Sequence, residues 1–149
     1  MTPSWPSGSL EAGIHVFPVR VYYEDTDAGG IVYHANYLRF AERARSELLR
    51  VLGWAHERLV QETGLTWVVR RAEIDYRLPA RLDDALTVET TLSALNRASV
   101  DALQSIRRGV EELVRVKLQL VLLTPAGRLG RIPAALADSF RPFLANPQP

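Results

Sequence analysis

The chain has 149 residues, 47% apolar and 23% charged, with a formal net charge of +1 and no cysteine. This is the balance of a folded domain rather than a disordered chain, and so small a charge offers no field to attract nucleic acid or a membrane. The lack of cysteine removes disulfides, thiolate metal sites and a cysteine nucleophile together.

Residues 1–13 are rich in Pro, Ser and Gly and lack both the basic start and the apolar run of a signal peptide, so they read as a disordered leader. Residues 14–144 are expected to form one domain, and 145–149 a flexible tail. No apolar run approaches the roughly 18 residues of a transmembrane helix, which fits a cytoplasmic location. Lys117 is the only lysine among 18 basic residues. Arginine suits bidentate phosphate contacts, but a GC-rich genome produces the same bias.

From Ile14 to Glu24 the residues are largely β-branched or aromatic and predict a strand, with Pro18 placing its first half at a sheet edge or bulge. Asn36 is a candidate helix cap, after which Tyr37, Phe40, Ala41, Ala44, Leu48 and Leu52 recur at helical spacing as far as the stop at Gly53. Arg43 and Glu47 on the opposite face are spaced to pair. A shorter helix is predicted over Trp54–Glu62. The period then changes to two, predicting strands at Trp67–Leu78, Leu86–Leu95, Ser99–Arg107 and Glu112–Thr124, and a last short helix at Pro133–Arg141. Consecutive strands with short turns suggest an antiparallel meander with one face covered by the long helix. Trp67, Val69 and Leu103 are expected on the uncovered face, where apolar residues point to an oligomer.

The richest stretch runs from Tyr23 to Tyr37, through Glu24, Asp25, Asp27, Gly29, Gly30 and His34. A strand that ends in carboxylates and turns on glycine into a helix N-terminus assembles a base or nucleophile beside free N–H donors, the parts of an acyl-transfer site. The plain alternative is a solvated acidic turn, with Asp27 an Asx-turn residue, His34 bonded to a nearby carbonyl and Tyr23 in the core. His15, His34 and His56 are too scattered to suggest a metal site, and Gly127-Arg128-Leu129-Gly130 lacks the lysine of a phosphate loop.

The run Arg20-Val21, Thr26-Asp27, Gly30-Ile31-Val32-Tyr33 and Asn36-Tyr37, with its spacing, resembles the active-site signature of the 4-hydroxybenzoyl-CoA thioesterase family, the hotdog-fold acyl-CoA thioesterases. The fuller wording from Tyr22 to His34 looks most like the bacterial branch associated with the Tol–Pal cell-envelope system. Similarity continues through Phe40–Arg45, Tyr76 and Pro79–Asp84, so that it covers roughly Val19 to Pro133. The resemblance implies an α+β hotdog fold, a five-stranded antiparallel sheet wrapped around one long helix.

It further implies acyl-CoA hydrolysis with Asp27 as the catalytic aspartate, either a general base or a nucleophile, and with Tyr23 and His34 lining the site. A backbone N–H near His34 would hold the thioester oxygen. The turn Asn96–Ser99 would meet the coenzyme A phosphates through Arg97 and Ser99. No metal or separate cofactor is implied, since coenzyme A is part of the substrate. The fold family places its site between subunits, so a dimer is the minimum expectation and a homotetramer the fuller one. An acyl carrier protein is a candidate partner, and the rival reading is an interaction or acyl-carrier-binding module in envelope or phospholipid assembly with little turnover.

Overall fold

The computed structural model describes residues 6–144. Strands β1 (Ser9–Glu11) and β2 (Ile14–Arg20) open the fold, followed by a single 3-10 turn at Tyr23–Asp25. Next come helices α1 (Asn36–Val51) and α2 (His56–Thr63), and then strands β3 (Thr66–Tyr76), β4 (Ala85–Leu95), β5 (Ser99–Arg108) and β6 (Glu111–Leu123). The short strand β7 (Leu129–Gly130), helix α3 (Ala134–Phe140) and a 3-10 turn at Arg141–Phe143 complete it. Five long antiparallel strands curl around α1, which is the expected α+β hotdog arrangement.

Three expectations are corrected. Part of the stretch expected as a disordered leader is ordered: Ser9, Leu10 and Glu11 pair with Val16, His15 and Ile14. Ala12 and Gly13, both at positive φ, turn the chain back, and the buried His15 donates from Nε2 to the Ser7 carbonyl at 2.8 Å. Burial holds the imidazole pKa below its ordinary value, against the Ser7 hydrogen bond and the charge of Glu47, both of which raise it. Residues 1–5 of that stretch, and the whole of the expected 145–149 tail, lie outside the described residues.

The sheet is also not a simple meander. Its order is β1-β2-β4-β5-β6-β3, so β3 crosses past β4 to pair with β6 and becomes an edge. Alternation identifies a strand and its faces but says nothing of its partner, which non-local packing selects.

Thirdly, Trp67 and Val69 are not on the outer face. A bulge between Val69 and Arg71 inserts one residue into β3 and reverses its parity. Trp67 and Val69 therefore share the helix side with Ile74 and Tyr76, and Trp67 packs against Phe140 with ring centroids 6.0 Å apart. The outer face near Leu103 carries Arg71, Glu73, Asp101, Lys117 and Gln119.

Helix α1 buries Tyr37, Phe40, Ala41, Ala44, Leu48 and Leu49 against the sheet. Glu47 pairs with Arg50 rather than Arg43, whose guanidinium lies over the Phe40 ring. The apolar core forms two clusters, one around Phe40, Val88, Ile106 and Val116, the other around Leu48, Leu59, Leu92, Leu122 and Leu136. Between them along β4 and β5 sit two buried polar side chains, Thr90 and Gln104.

Candidate active site

Beyond β2 the 3-10 turn is fixed by Asp25, which is only 6% exposed. Its Oδ2 accepts the Tyr22 N–H at 2.8 Å, and its carbonyl accepts both the Tyr33 N–H and Asn36 Nδ2. Two of these contacts hold backbone N–H groups and the third the Asn36 side chain, so Asp25 anchors the loop. Thr26 and Val32 then bridge, enclosing a tight loop in which the Asp27 N–H donates to the Ile31 carbonyl at 2.9 Å. Gly30 sits at φ 79°, a conformation that penalises any Cβ, and donates its N–H to the Asp27 carbonyl. Asp27 stands exposed on this loop with Oδ1 accepting the Gly29 N–H at 2.8 Å. The Asx turn is present, and it aims rather than consumes the carboxylate, because Oδ2 has no hydrogen-bond partner among the described residues.

The helix start differs from expectation in an informative way. Asn36 is the first helical residue rather than the cap, and its amide is spent on the Asp25 carbonyl. Ala35 takes the cap position and has no side chain to close the end. Among the described residues the N–H groups of His34 and Ala35 have no acceptor. They lie at the positive end of a 16-residue helix, where a developing oxyanion is stabilised. The His34 carbonyl accepts the Tyr76 hydroxyl at 3.0 Å, and the exposed His34 ring rests 4.5 Å from that of Tyr33. The neighbouring Tyr37 hydroxyl accepts the Ala80 N–H at 3.0 Å; burial pushes its pKa up, with that hydrogen bond acting the other way.

The structure thus brings Asp27 and His34 to one end of the sheet. Tyr23, expected to line the site, begins the 3-10 turn and is 84% exposed in one protomer. Arg97 and Ser99 are at the opposite end, past the last residue of β4. The eleven residues from Ala85 to Leu95 put roughly 30 Å between the two ends. Arg97 lines a surface groove there with Arg131 and Arg141, two residues that sequence reasoning did not single out because they come from the distant α3 segment. Ser99 is not in that groove, and its hydroxyl accepts Asn96 Nδ2 at 3.1 Å.

A cavity of about 170 Å³ lies between α1 and the sheet, reaching from the middle of β4 at Thr90 toward this end. Leu48, Leu92, Val100, Leu120 and Phe140 make most of its wall, Trp67 and Val69 flank it from β3, and Glu42, Arg45, Ser46 and His56 supply the polar part. A carboxylate with free donors and an apolar cavity are the components of acyl transfer, here set apart along α1 in a single chain. Among the described residues no group of three His, Cys, Asp or Glu side chains is placed to hold a metal ion, and no helix is long and apolar enough to cross a membrane.

Comparison with known proteins agrees with this inventory. Residues 21–140 match the family model of the thioesterase-like superfamily. An acyl-CoA thioesterase, YbgC, of Haemophilus influenzae is 48% identical over 104 residues, 70% of this chain and 76% of that protein. The acyl-CoA thioester hydrolase YbgC of an Escherichia coli O6:H1 strain is 48% identical over 60% of this chain and 66% of its own length. The crystal structure of a probable thioesterase from Bartonella henselae superposes with a TM-score of 0.78 at 41% identity, covering 80% of this chain and 99% of that one.

Proposed function

The chain belongs to the thioesterase-like superfamily, and from that premise we propose that it hydrolyses acyl-CoA thioesters at the Asp27 loop. The observation that carries the mechanism is the pairing of an exposed carboxylate with two unpaired N–H groups at the start of α1. The thioester carbonyl oxygen takes the His34 and Ala35 donors. Asp27 either removes a proton from the attacking water or attacks the carbonyl carbon itself, giving a mixed anhydride that water then opens. In both routes coenzyme A leaves as the thiolate and the acyl group as the acid. Steady-state assays over a panel of acyl-CoAs, with acyl-carrier-protein thioesters alongside, test this. Turnover of none of them would refute it and leave the interaction-module reading.

His34 is proposed to act through its backbone. His34→Ala keeps the N–H donor and is expected to lower kcat less than Asp27→Asn does. Equal inactivation of the two variants, with loss of a pH–rate limb near the ordinary histidine pKa, would show the imidazole to be an acid or base.

The working unit is proposed to be a homo-oligomer built on a dimer. β3 is an eleven-residue edge strand with Val68, Val69, Tyr76 and the following Leu78 exposed, an open template for pairing. Pairing β3 with its own copy around a two-fold axis is antiparallel, so the Trp67–Val69 half of one strand meets the Ile74–Tyr76 half of the other. Because Tyr76 is bonded to His34, that arrangement sets one protomer's Asp27 and His34 beside the cavity and arginine groove of its partner. The roughly 30 Å separation then disappears.

In the same reading Arg97, Arg131 and Arg141 are candidates for the coenzyme A phosphates. Arg97→Ala with Arg131→Ala should raise KM for an acyl-CoA and leave KM for the matching acyl-pantetheine, which has no nucleotide, unchanged. Equal change in both would move the phosphates elsewhere.

A further inference from the structure

The cavity between α1 and the sheet is apolar over most of its wall, yet two residues lining it carry hydrogen-bond donors that the chain leaves wholly or partly unused. Arg45 is the first. Its Nη1 donates to Gln104 Oε1 at 2.8 Å, and Gln104 is held so that it can only accept there: it is fully buried, and its Nε2 donates to the Ala41 carbonyl at 2.9 Å and to Thr90 Oγ1 at 3.0 Å. A guanidinium has five N–H groups, and no carboxylate among the described residues lies within ion-pair distance of this one. Glu42, one helical turn away at the cavity mouth, acts on it only through its field, and burial draws the arginine pKa below its ordinary value. Trp67 is the second. Its indole Nε1 is buried and has no acceptor among the described residues.

The other guanidinium N–H groups are not shut away from solvent and stay open to water or to a ligand in the cavity, whereas the buried Trp67 N–H is costly to leave unpaired. Both groups donate and both belong to residues lining one cavity; the Trp67 N–H has no acceptor among the described residues, and the Arg45 guanidinium has Gln104 Oε1 alone. An acyl group with an all-hydrocarbon end would leave them unpaired. One that ends in oxygen acceptors would satisfy them, and a carboxylate matches the planar fork of a guanidinium best.

We propose that this cavity is the acyl subsite for thioesters whose acyl group carries a second, free carboxylate, with Arg45 and the Trp67 N–H as the specificity-determining donors. The inference rests on the thioesterase reading above and adds the substrate class to it. The short-chain dicarboxylic monothioesters fit: the methylene segment packs on Leu48, Leu92 and Leu120 while the distal carboxylate reaches Arg45.

The test compares glutaryl-CoA with 5-methylhexanoyl-CoA, which replaces the distal carboxylate by an isopropyl group of similar shape. The wild-type protein is expected to favour glutaryl-CoA in kcat/KM by at least about tenfold, since a site built around polar contacts rejects an analogue that lacks them. Arg45→Met should abolish or invert that preference, mainly through KM for glutaryl-CoA, and Arg45→Lys should retain part of it. Trp67→Phe keeps the ring, removes only the N–H and should weaken the preference in a protein whose thermal melting is near wild type. Hydrolysis of both substrates with no preference for glutaryl-CoA would overturn the proposal. So would an equal loss on both substrates in Arg45→Met and Trp67→Phe, which would mark these residues as merely structural. Failure to hydrolyse any acyl-CoA is a different result, and it would remove the underlying thioesterase assignment as well.

Discussion

Asp27→Asn is expected to lower kcat by at least about a hundredfold, the lower end for loss of a general base. The substitution is nearly isosteric, and the amide oxygen can still accept the Gly29 N–H that shapes the loop. Asp27 is exposed and contributes nothing to the core, so thermal melting should stay close to wild type. The measurement is steady-state hydrolysis of the best acyl-CoA, followed by release of free thiol, beside a melting curve. Full turnover in a folded Asp27→Asn protein would remove Asp27 from the reaction. Asp25→Asn is the informative companion. Asp25 holds the Tyr22 N–H, Tyr33 N–H and Asn36 side chain, two of these through its carbonyl, which the substitution keeps. Its effect should therefore appear as a lower melting temperature more than as a lost kcat. The opposite pattern would exchange the roles of the two carboxylates.

Two inactive proteins are expected to restore each other. If Asp27 of one protomer works on a substrate lodged in its partner's cavity, a site needs one intact loop and one intact cavity, from different chains. Asp27→Asn destroys the loop's chemistry, and Ser46→Trp fills the mouth of the cavity. Each variant alone should be nearly inactive. In a mixed dimer one site carries both defects and the other carries none. Random pairing makes about half the dimers mixed, so co-expression should recover about a quarter of wild-type activity. A site completed within one chain predicts no recovery at all. Sedimentation across a wide concentration range complements this, because a stable monomer with full specific activity would sink the shared site outright.

Much of the fold was legible in the residues alone. The apolar period of 3.6 from Tyr37 to Leu48 is set by local geometry, and α1 ends within one residue of its expected bound. The later strands fall close to their expected limits for the same reason. Gly30 and Asn36 suit a tight loop leading into a helix, whereas Asp27 was distinguished from Glu24 and Asp25 only by the family resemblance. The identity of Asn36 was informative while its role was not: it looked like a cap, and the structure uses its side chain on a carbonyl eleven residues earlier.

What only the tertiary structure decided was which elements meet. Nothing local in Thr66–Tyr76 says that this strand pairs with Glu111–Leu123 and lies at an edge, and a single inserted residue at the bulge turned Trp67 and Val69 from the outer face to the inner one. Arg97 and Asp27 both suited a thioesterase by residue type, yet the fold holds them at opposite ends of β4. The spare donors of Arg45 and the unpaired N–H of Trp67 were invisible for the same reason. Residue type and spacing determine the local conformation of a segment and the face it buries. Partner choice, register and the lining of a cavity depend on contacts between residues far apart in the chain, whose free energy no short window of sequence contains.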